Sequence, residues 1–146
     1  MSLEKPIAVV ETFFSVEVRD MERATAFYVA ALGARVSFAM PRWTSIHVAG
    51  VRIGLALADG HAGGRNGLHF AVNDLASACA AIERARGRVI TPSIEVAPGV
   101  VIAEVQDTER NTFVLDYQAE GRKYYSDENL DQVRNNLTEY SSSQLI

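Results

Sequence analysis

The chain contains the same short pattern twice, and this internal repeat is the feature that most limits how it can fold. Residues 14–21 read FSVEVRDM, and residues 68–75 read LHFAVNDL. The two copies lie 54 residues apart, as Val18 and its counterpart Val72 show, and each leads through a helical stretch to a glycine. A repeat of this length indicates a duplicated supersecondary module, because two copies are too few for a solenoid. We expect a functional site between the two halves.

Size and composition fit a single domain with one hydrophobic core. The chain has 146 residues, of which 48% are hydrophobic and 22% charged, and its net charge is −4. An acidic balance argues against nucleic-acid binding, which needs a basic stripe. The lone Cys79 lies among alanines and is interpreted as a small apolar residue of a helix. Because no apolar run is long enough for a bilayer and no basic-then-apolar leader precedes it, we expect a cytoplasmic protein without membrane contacts.

The first copy predicts a strand, a capped helix and three further strands. Asp20 occupies the position of a helix N-cap, and the apolar residues that follow keep helical spacing as far as Gly33, which ends the helix. Ala49 and Gly50 predict a tight hairpin between the last two strands. The predicted strands span residues 9–18, 34–40, 43–49 and 51–58.

The second copy repeats this order after a glycine-rich linker at residues 59–66, in which His61 is interpreted as a solvated loop residue. Asp74 is the predicted helix N-cap, and the helix is expected to stop at Gly87. The predicted strands span residues 67–72, 88–91, 100–106 and 112–118. Both modules are therefore β-α-β-β-β, at residues 7–59 and 65–118 of one domain spanning 1–118, and the fold class is α+β.

Residues 119–146 form a C-terminal extension of a different character. Leu130, Val133, Leu137 and Tyr140 recur at spacings of three and four residues, with polar residues between them. This pattern predicts an amphipathic helix within residues 127–140. Its apolar stripe covers either its own domain or a partner subunit, and the sequence leaves both alternatives open.

Several of these motifs together resemble the vicinal oxygen chelate superfamily of glyoxalases, bleomycin resistance proteins and extradiol dioxygenases. They are VRDM at 18–21, AFY at 26–28, LG at 32–33, VNDL at 72–75 and DTERN at 107–111. The last motif is similar to the family's D-P-x-G-N turn, with Thr108 and Arg110 in place of Pro and Gly. The resemblance covers about residues 9–118. It implies two modules whose curved sheets form an open half-barrel cleft, commonly in a homodimer, but no particular reaction, because one fold hosts many chemistries.

The resemblance also implies four inward-facing positions that hold a metal in many members of the family. In this chain they fall on Phe13, Gly54, Gly67 and Val114. None of these side chains offers the histidine nitrogen or carboxylate oxygen that a divalent metal requires. We therefore expect no metal or other cofactor at the usual site, and neither glyoxalase nor extradiol dioxygenase activity.

Alternation along the strands identifies polar side chains that share the cleft with these four positions. They are Ser15, Glu17, Ser45, His47, His69, Thr112, Asp116 and, in the penultimate strand, Glu104, with Trp43 near the mouth. The predicted ligand-binding residues are Phe13, Ser15, Glu17, Trp43, His47, Gly54, Gly67, His69, Ile102, Glu104 and Val114.

Two functions of different classes fit this set of residues. The first is a binding protein of the bleomycin-resistance kind that holds a small aromatic or cationic molecule in a metal-free cleft, because aromatic faces and carboxylates suit such ligands. The second is a lyase, isomerase or dioxygenase of the same superfamily. Its candidate catalytic residues are Glu104, His69 and Glu17, acting as an acid–base pair or, with His47, as a displaced metal site. No nucleophile elbow, P-loop or dinucleotide fingerprint is present.

Overall fold

The computed structural model describes residues 5–60 and 62–118, which form two modules of the same topology. The first contains β1 (Phe14–Val18), α1 (Met21–Leu32), β2 (Arg35–Met40), β3 (Trp43–Val48) and β4 (Val51–Leu57). The second contains β5 (Gly64–Ala71), α2 (Leu75–Arg84), β6 (Arg88–Ala97), β7 (Val100–Gln106) and β8 (Asn111–Gln118). The predicted α+β class and its paired β-α-β-β-β modules are confirmed. Neither helix in this part of the chain is long and apolar enough to cross a membrane.

Each module builds its own four-stranded sheet. The strand orders are β1-β4-β3-β2 and β5-β8-β7-β6. In each sheet the first strand of the module runs parallel to the last, and the other pairs are antiparallel. Within the described residues, β1 and β5 are each paired on one side only. The two strands that open the modules therefore present free edges.

The helices begin where the sequence predicts, because an aspartate caps each of them. An Asp20 carboxylate oxygen accepts a hydrogen bond from the Arg23 amide at 3.0 Å, and Asp74 does the same for Ser77 at 3.1 Å. Helix α1 ends at Gly33, whose φ of 64° is the left-handed conformation typical of a helix C-terminus. Both caps and the Gly33 stop are therefore confirmed.

The predicted stop of the second helix at Gly87 is wrong, because α2 already ends at Arg84. It is Arg86 that takes the left-handed conformation, with a φ of 75°. Gly87 serves a different purpose: a Cβ atom there would overlap the Gln106 carbonyl oxygen and press on the Phe27 ring. The glycine is required for close packing of the chain on β7.

One hydrophobic core lies between the two sheets and contains both helices. Phe27 and Tyr28 of α1 meet Phe113 of β8, with ring centroids 6.4 Å apart in each case. Ile82 of α2 belongs to the same cluster, together with alternate residues of both sheets. Val16, Val18 and Leu68 are buried in this core, and Phe70 and Val72 are partly buried against it, whereas Phe14 is half exposed. The helices thus hold the modules together, and the other face of each sheet points away from the core.

Three predicted strand boundaries are wrong. Residues 9–13 lie outside β1 although they are rich in β-branched residues, because no neighbouring strand pairs with them among the described residues. Strand β5 begins at Gly64, inside the predicted linker, and β6 continues to Ala97 instead of ending at Thr91. His61 and the predicted helix at 127–140 lie outside the described residues.

The turn between β7 and β8 fastens the second module to the first through a buried carboxylate. Glu109 is fully buried and accepts hydrogen bonds from the amides of Arg19 and Asp20 at 2.8 and 3.0 Å. The Arg23 guanidinium donates to the same carboxylate, with Nε 2.7 Å from one oxygen and Nη2 3.1 Å from the other. Burial acts to raise the pKa of Glu109, but the hydrogen bonds from Arg23 and the two amides outweigh it and lower that pKa.

Two further residues of this turn reach the first module. Asp107 accepts a hydrogen bond of 2.6 Å from the Tyr28 hydroxyl, and the Asn111 side-chain amide donates to the Glu17 carbonyl oxygen at 2.9 Å. Asn111 also donates to Asp107 at 3.0 Å, so the two side chains orient each other. Burial raises the pKa of Asp107 more than these hydrogen bonds lower it. The junction therefore combines a charged pair with neutral and charge-assisted hydrogen bonds.

We expect Glu109→Gln to lower the free energy of unfolding by about 2–4 kcal/mol near neutral pH, because it weakens several buried charge-assisted hydrogen bonds at once. The measurement is urea unfolding. The matched control is Asp59→Asn, which also removes a carboxylate paired with an arginine, Arg42, but on the exposed surface. That control should change the free energy by less than about 0.5 kcal/mol.

The effect of Glu109→Gln also has a defined pH dependence. A depressed carboxylate pKa contributes stability above the pKa of the unfolded chain, and this contribution is lost as the pH falls through the folded pKa. The difference between Glu109→Gln and the unmodified chain should therefore shrink in acid, below the ordinary glutamate pKa. A difference that stays constant from neutral to acid pH would contradict this account of the junction.

Candidate functional site

The face of each sheet that points away from the helices carries the predicted site residues. Strand register shows which side chains share it, since paired residues lie on the same face. The face of the first sheet, here called the first open face, carries Ser15, Glu17, Phe38, Met40, Trp43, Ser45, His47, Arg52 and Gly54. The face of the second sheet, the second open face, carries Arg65, His69, Ile102, Glu104, Gln106, Thr112, Val114 and Asp116.

An aromatic pair dominates the first open face. The Trp43 ring lies directly over Gly54, so that a Cβ atom at Gly54 would overlap it. The indole Nε1 donates to the Ser45 hydroxyl at 2.9 Å, which fixes the orientation of the ring. Phe13, just before β1, meets Trp43 edge to face at 6.2 Å between centroids. The space beside Gly54 is therefore filled by Trp43.

Two large apolar side chains that the sequence reasoning missed flank this pair. Phe38 and Met40 on β2 lie opposite Ser45 and Trp43, and each is about half exposed. A bulge between Val36 and Phe38 shifts the register, so counting alternate residues along β2 does not reliably assign a side chain to one face of the sheet. The signal that identifies Met40 is the two-residue turn at 41–42, which places it directly opposite Trp43.

A cation from the protein itself lies over the Phe13 ring. The Arg52 guanidinium carbon is 3.9 Å from the ring centroid, within the range of a cation–π interaction. Its Nη2 donates to Glu11 at 3.1 Å, and its Nε lies 3.0 Å from the other oxygen of the same carboxylate. Glu17 is exposed on the same face and its carboxylate has no partner within residues 5–60 and 62–118.

The second open face carries a histidine–aspartate pair. His69 Nδ1 lies 3.1 Å from Oδ2 of Asp116, and both side chains are accessible to solvent. The hydrogen bond to Asp116 raises the pKa of His69, although partial burial opposes it. Contact at Nδ1 leaves Nε2 as the ring nitrogen that can face a ligand. The pair has the composition of a general acid–base group.

Glu104 is held apart from this histidine. One of its oxygens lies 2.7 Å from Nη2 of Arg65, and its side chain is buried. Val114 pairs with both His69 and Glu104 and lies between them, so the two residues stand two strands, or roughly 10 Å, apart. Sequence reasoning missed Arg65 because the residue falls in the predicted linker, and no pattern in the sequence identifies it.

The remaining predicted residues of the second sheet differ in their surroundings. Ile102 is buried in a small separate cluster with Val96, Ala97 and Val100, and Val114 packs against that cluster. Gly67 lies in an irregular stretch of β5 with a φ of 76°, and the space beside its Cα is open. The part of this face near Gly67 and His69 is therefore the accessible part.

At the four positions that the resemblance assigns to a metal, the side chains of this chain cannot coordinate a metal ion. Phe13 and Gly54 belong to the first module, Gly67 and Val114 to the second, and none has a donor atom in its side chain. The displaced set is also divided, because Glu17 and His47 lie on one sheet and His69 and Glu104 on the other. In the described part of the chain no three His, Cys, Asp or Glu residues form a group that could hold a metal ion.

Comparison with solved structures places this architecture among known folds. The fosfomycin resistance protein FosX from Listeria monocytogenes, solved with Mn(II) and dihydroxypropylphosphonic acid, matches with a TM-score of 0.65 and 16% identity. The match covers 82% of this chain and 100% of that one. A superfamily member from Sphaerobacter thermophilus matches with a TM-score of 0.62 and 20% identity, covering 75% and 98%. FosX from Mesorhizobium loti gives 0.60 and 14%, covering 76% and 93%.

These identities are low, so the likeness shows a shared fold alone. A comparison with curated protein sequences gives no significant match. A family model does match, over residues 12–115, which is more than half of the chain and includes both modules. The chain belongs to the glyoxalase/bleomycin resistance protein/dioxygenase superfamily.

Proposed function

We propose that this protein binds a small, flat aromatic or cationic molecule without a metal at the family's usual position. The observation that carries the proposal is the Trp43 ring, which covers Gly54 and meets Phe13 where metal-dependent relatives would place ligands. A site filled by two rings has lost room for an ion and has gained an aromatic surface. Such a surface favours a planar ligand through stacking.

The apolar surroundings of Trp43 support this proposal. Phe38 and Met40 leave about half of their side-chain surface exposed, and Phe13 is 41% exposed. A group of large apolar side chains open to solvent on one face is typical of a binding surface. Methionine adds adaptability, since its flexible thioether packs well against aromatic rings.

Charge on the same face favours a cationic group in the ligand. Arg52 lies over the face of the Phe13 ring and pairs with Glu11, which supports a cation–π contact as one way to hold a positive group here. Glu17 offers a carboxylate with no partner among the described residues. Glu104 is less suited to this role than the sequence suggested, because its charge is already paired with Arg65.

We further propose a homodimer, because one chain cannot close both open faces around a ligand. The two faces point away from a shared core, and they belong to separate sheets. A second copy could place its second open face opposite the first open face of its partner. The ligand would then have an aromatic wall on one side and a polar wall with His69 and Asp116 on the other.

A second candidate function is an enzyme that uses His69 as a general acid–base group. The observation that favours it is the contact with Asp116, which orients the ring and raises its pKa. This pair replaces the partnership of His69 with Glu104 that the sequence suggested. An enzyme of this kind would move a proton at Nε2 of His69, with the ligand held against Trp43.

Replacing Trp43 with leucine should weaken the binding of an aromatic ligand by about 1 kcal/mol or more, because stacking is lost while the apolar character of the position is kept. Ligands come from a thermal-shift screen of aromatic and cationic molecules, with and without divalent metals. Trp43 is the single tryptophan of the chain, so quenching of its fluorescence measures binding to the unmodified protein directly. Calorimetry measures ligand binding to the variant, which lacks this fluorescent ring.

Two control variants make this test specific. Phe14→Leu removes an exposed ring on the opposite side of β1 and should leave affinity unchanged. Glu17→Gln should weaken the binding of cationic ligands and leave the binding of neutral ligands unchanged. Stabilisation by metals alone, abolished by His69→Ala, would overturn the binding proposal and favour an enzyme with a displaced metal.

The acid–base role of His69 makes a prediction about its titration. Asp116→Asn should lower the pKa of His69, because the carboxylate that stabilises the protonated ring is gone. The raised pKa stabilises the folded chain below the unfolded histidine pKa, and this contribution is lost as the pH rises through the folded pKa. NMR titration of the imidazole resonances measures the shift, with Glu17→Gln as the control. An unchanged pKa in Asp116→Asn would remove the basis for the second candidate.

The proposed dimer predicts a molecular mass twice that of the 15.9 kDa chain in light scattering at micromolar concentration. It also predicts that ligand affinity falls on dilution below the dissociation constant of the dimer, because each site needs both copies. A monomer that binds ligand with unchanged affinity at all concentrations would show that one chain suffices.

A further inference from the structure

A groove on the helix side of the second sheet borders the end of β8. Its volume is about 640 Å³, and it lies between the first half of α2 and strands β6, β7 and β8. We call it the terminal groove. Tyr117 of β8 lies two residues beyond the buried Leu115, so it shares the side of the sheet that faces the helices, opposite the second open face. The apolar lining of the groove consists of Leu75, Ala76, Cys79, Pro92, Val101 and Tyr117.

The strand beside this groove is unsuited to accept another strand. β6 is the outermost strand of the second sheet, and its register shifts between Thr91 and Ile94. Pro92 lies within this irregular stretch, is exposed, and has no amide hydrogen to donate to a neighbour. A helix that lies in the groove needs no backbone hydrogen bonds from β6. The lining therefore favours an apolar helix face over an added strand.

The internal repeat has produced a similar groove in the first module. That groove has a volume of about 610 Å³ and lies between α1 and strands β2 and β3. Met21 and Thr25 line it, and they correspond at the offset of 54 residues to Leu75 and Cys79. The two grooves differ in one respect: among the described residues, the last strand of the module lines only the second groove, through Tyr117. The chain that follows β8 therefore starts at the wall of the terminal groove.

The C-terminal extension contains a segment whose pattern matches this groove. Four of its apolar residues fall within an arc of about 80° on a helix of 3.6 residues per turn. They are Leu130, Val133, Leu137 and Tyr140. A stripe this narrow suits a groove, because it contacts apolar surface along one line and leaves the polar residues between its members in solvent.

The attachment point favours the groove of the same chain. Residues 119–126 connect β8 to the predicted helix, and they span at most roughly 29 Å when fully extended. Because Tyr117 already lines the terminal groove, a connector of this length reaches it without strain. A short connector also gives the helix an effective concentration in the millimolar range at that groove, which a second copy at micromolar concentration does not match.

We propose that residues 127–140 form a helix that lies in the terminal groove of their own chain, with Val133 and Leu137 facing Cys79. This inference requires neither the ligand nor the homodimer of the proposed function. It has a consequence for the second open face, because Asp116, which contacts His69, directly precedes Tyr117. The docked helix would hold the end of the strand that carries this carboxylate.

Disulfide trapping tests the position of the helix in the full chain. Cys79 is the single cysteine, so one introduced thiol creates one possible pair within a chain. The faster of Val133→Cys and Leu137→Cys should form a disulfide with Cys79 at least about tenfold faster than Gln132→Cys, because the bond requires Cα atoms within about 7 Å. Gln132 is the matched control on the polar side of the predicted helix. Non-reducing electrophoresis and mass spectrometry measure the yield and distinguish a link within one chain from a link between two.

The repeat supplies a second control for the choice of groove. Thr25→Cys combined with Cys79→Ser moves the native thiol to the equivalent position of the first module. Paired with Val133→Cys or Leu137→Cys, this background should show no link faster than that of Gln132→Cys. A faster link to position 25 than to position 79 would place the helix in the first groove and would overturn the inference.

Alkylation of Cys79 by iodoacetamide provides a readout that needs no new bond. Val133→Glu should raise the alkylation rate at least about tenfold, because a charge buried without a partner drives the helix out of the groove and uncovers the thiol. Gln132→Glu adds the same charge on the polar side and should leave the rate unchanged. Equal rates in all three proteins would show that the extension does not cover Cys79.

The outcomes separate this inference from the proposed function. Disulfides that form only between two chains would show that the helix docks on a partner, which overturns docking within one chain and supports the homodimer. The absence of any link faster than the Gln132→Cys control also overturns it. Neither result bears on ligand binding, which quenching of Trp43 fluorescence decides on the opposite side of the first sheet.

Discussion

The buried carboxylate of Glu109 is the interaction on which the arrangement of the two modules depends. It accepts hydrogen bonds from two backbone amides and a guanidinium of the first module, although it belongs to the last turn of the second. A carboxylate without these donors would be costly to bury. The arrangement of the modules is therefore stable only when the β1–α1 junction docks on this turn. Neighbouring Asp107 and Asn111 fix the same junction through Tyr28 and the Glu17 carbonyl. The modules are thus joined by a polar contact at one end and a shared apolar core along the helices.

This way of joining the modules decides where chemistry can occur. Because both helices lie inside the shared core, the two open faces are left to solvent, and they differ in character. The first offers rings and a thioether around Trp43, and the second offers an ion pair, Arg65 with Glu104, and the hydrogen-bonded pair of His69 and Asp116. A ligand that fits between such walls would have a flat apolar side and a polar side. This describes the ligand more narrowly than the sequence alone does.

The sequence predicts those parts of the fold that are governed by local rules. Asp20, Asp74 and Gly33 act through neighbours within one helical turn, and alternation along regular strands assigns Glu17, Trp43 and His69 to their faces. The rest depends on contacts between distant residues. The face on which Phe38 lies could not be predicted because a bulge breaks the alternation. The contacts of Glu109 could not be predicted because its partners lie some 90 residues away in sequence. The sequence predicts a strand from residue 9, but residues 9–13 lie outside β1, because composition indicates strand preference and not whether a neighbouring strand is present.

The packing of Trp43 on Gly54 has a consequence for how this protein can change over evolutionary time. Any side chain at position 54 would collide with the indole, so a metal ligand can return there only after Trp43 has been replaced. Replacing Trp43 first would open a cavity and leave the Ser45 hydroxyl without its donor, so the intermediate sequence would be less stable than either end point. Metal binding and aromatic packing are therefore separated by two coupled substitutions with a disfavoured step between them, and neutral drift through single changes would tend to preserve the present state.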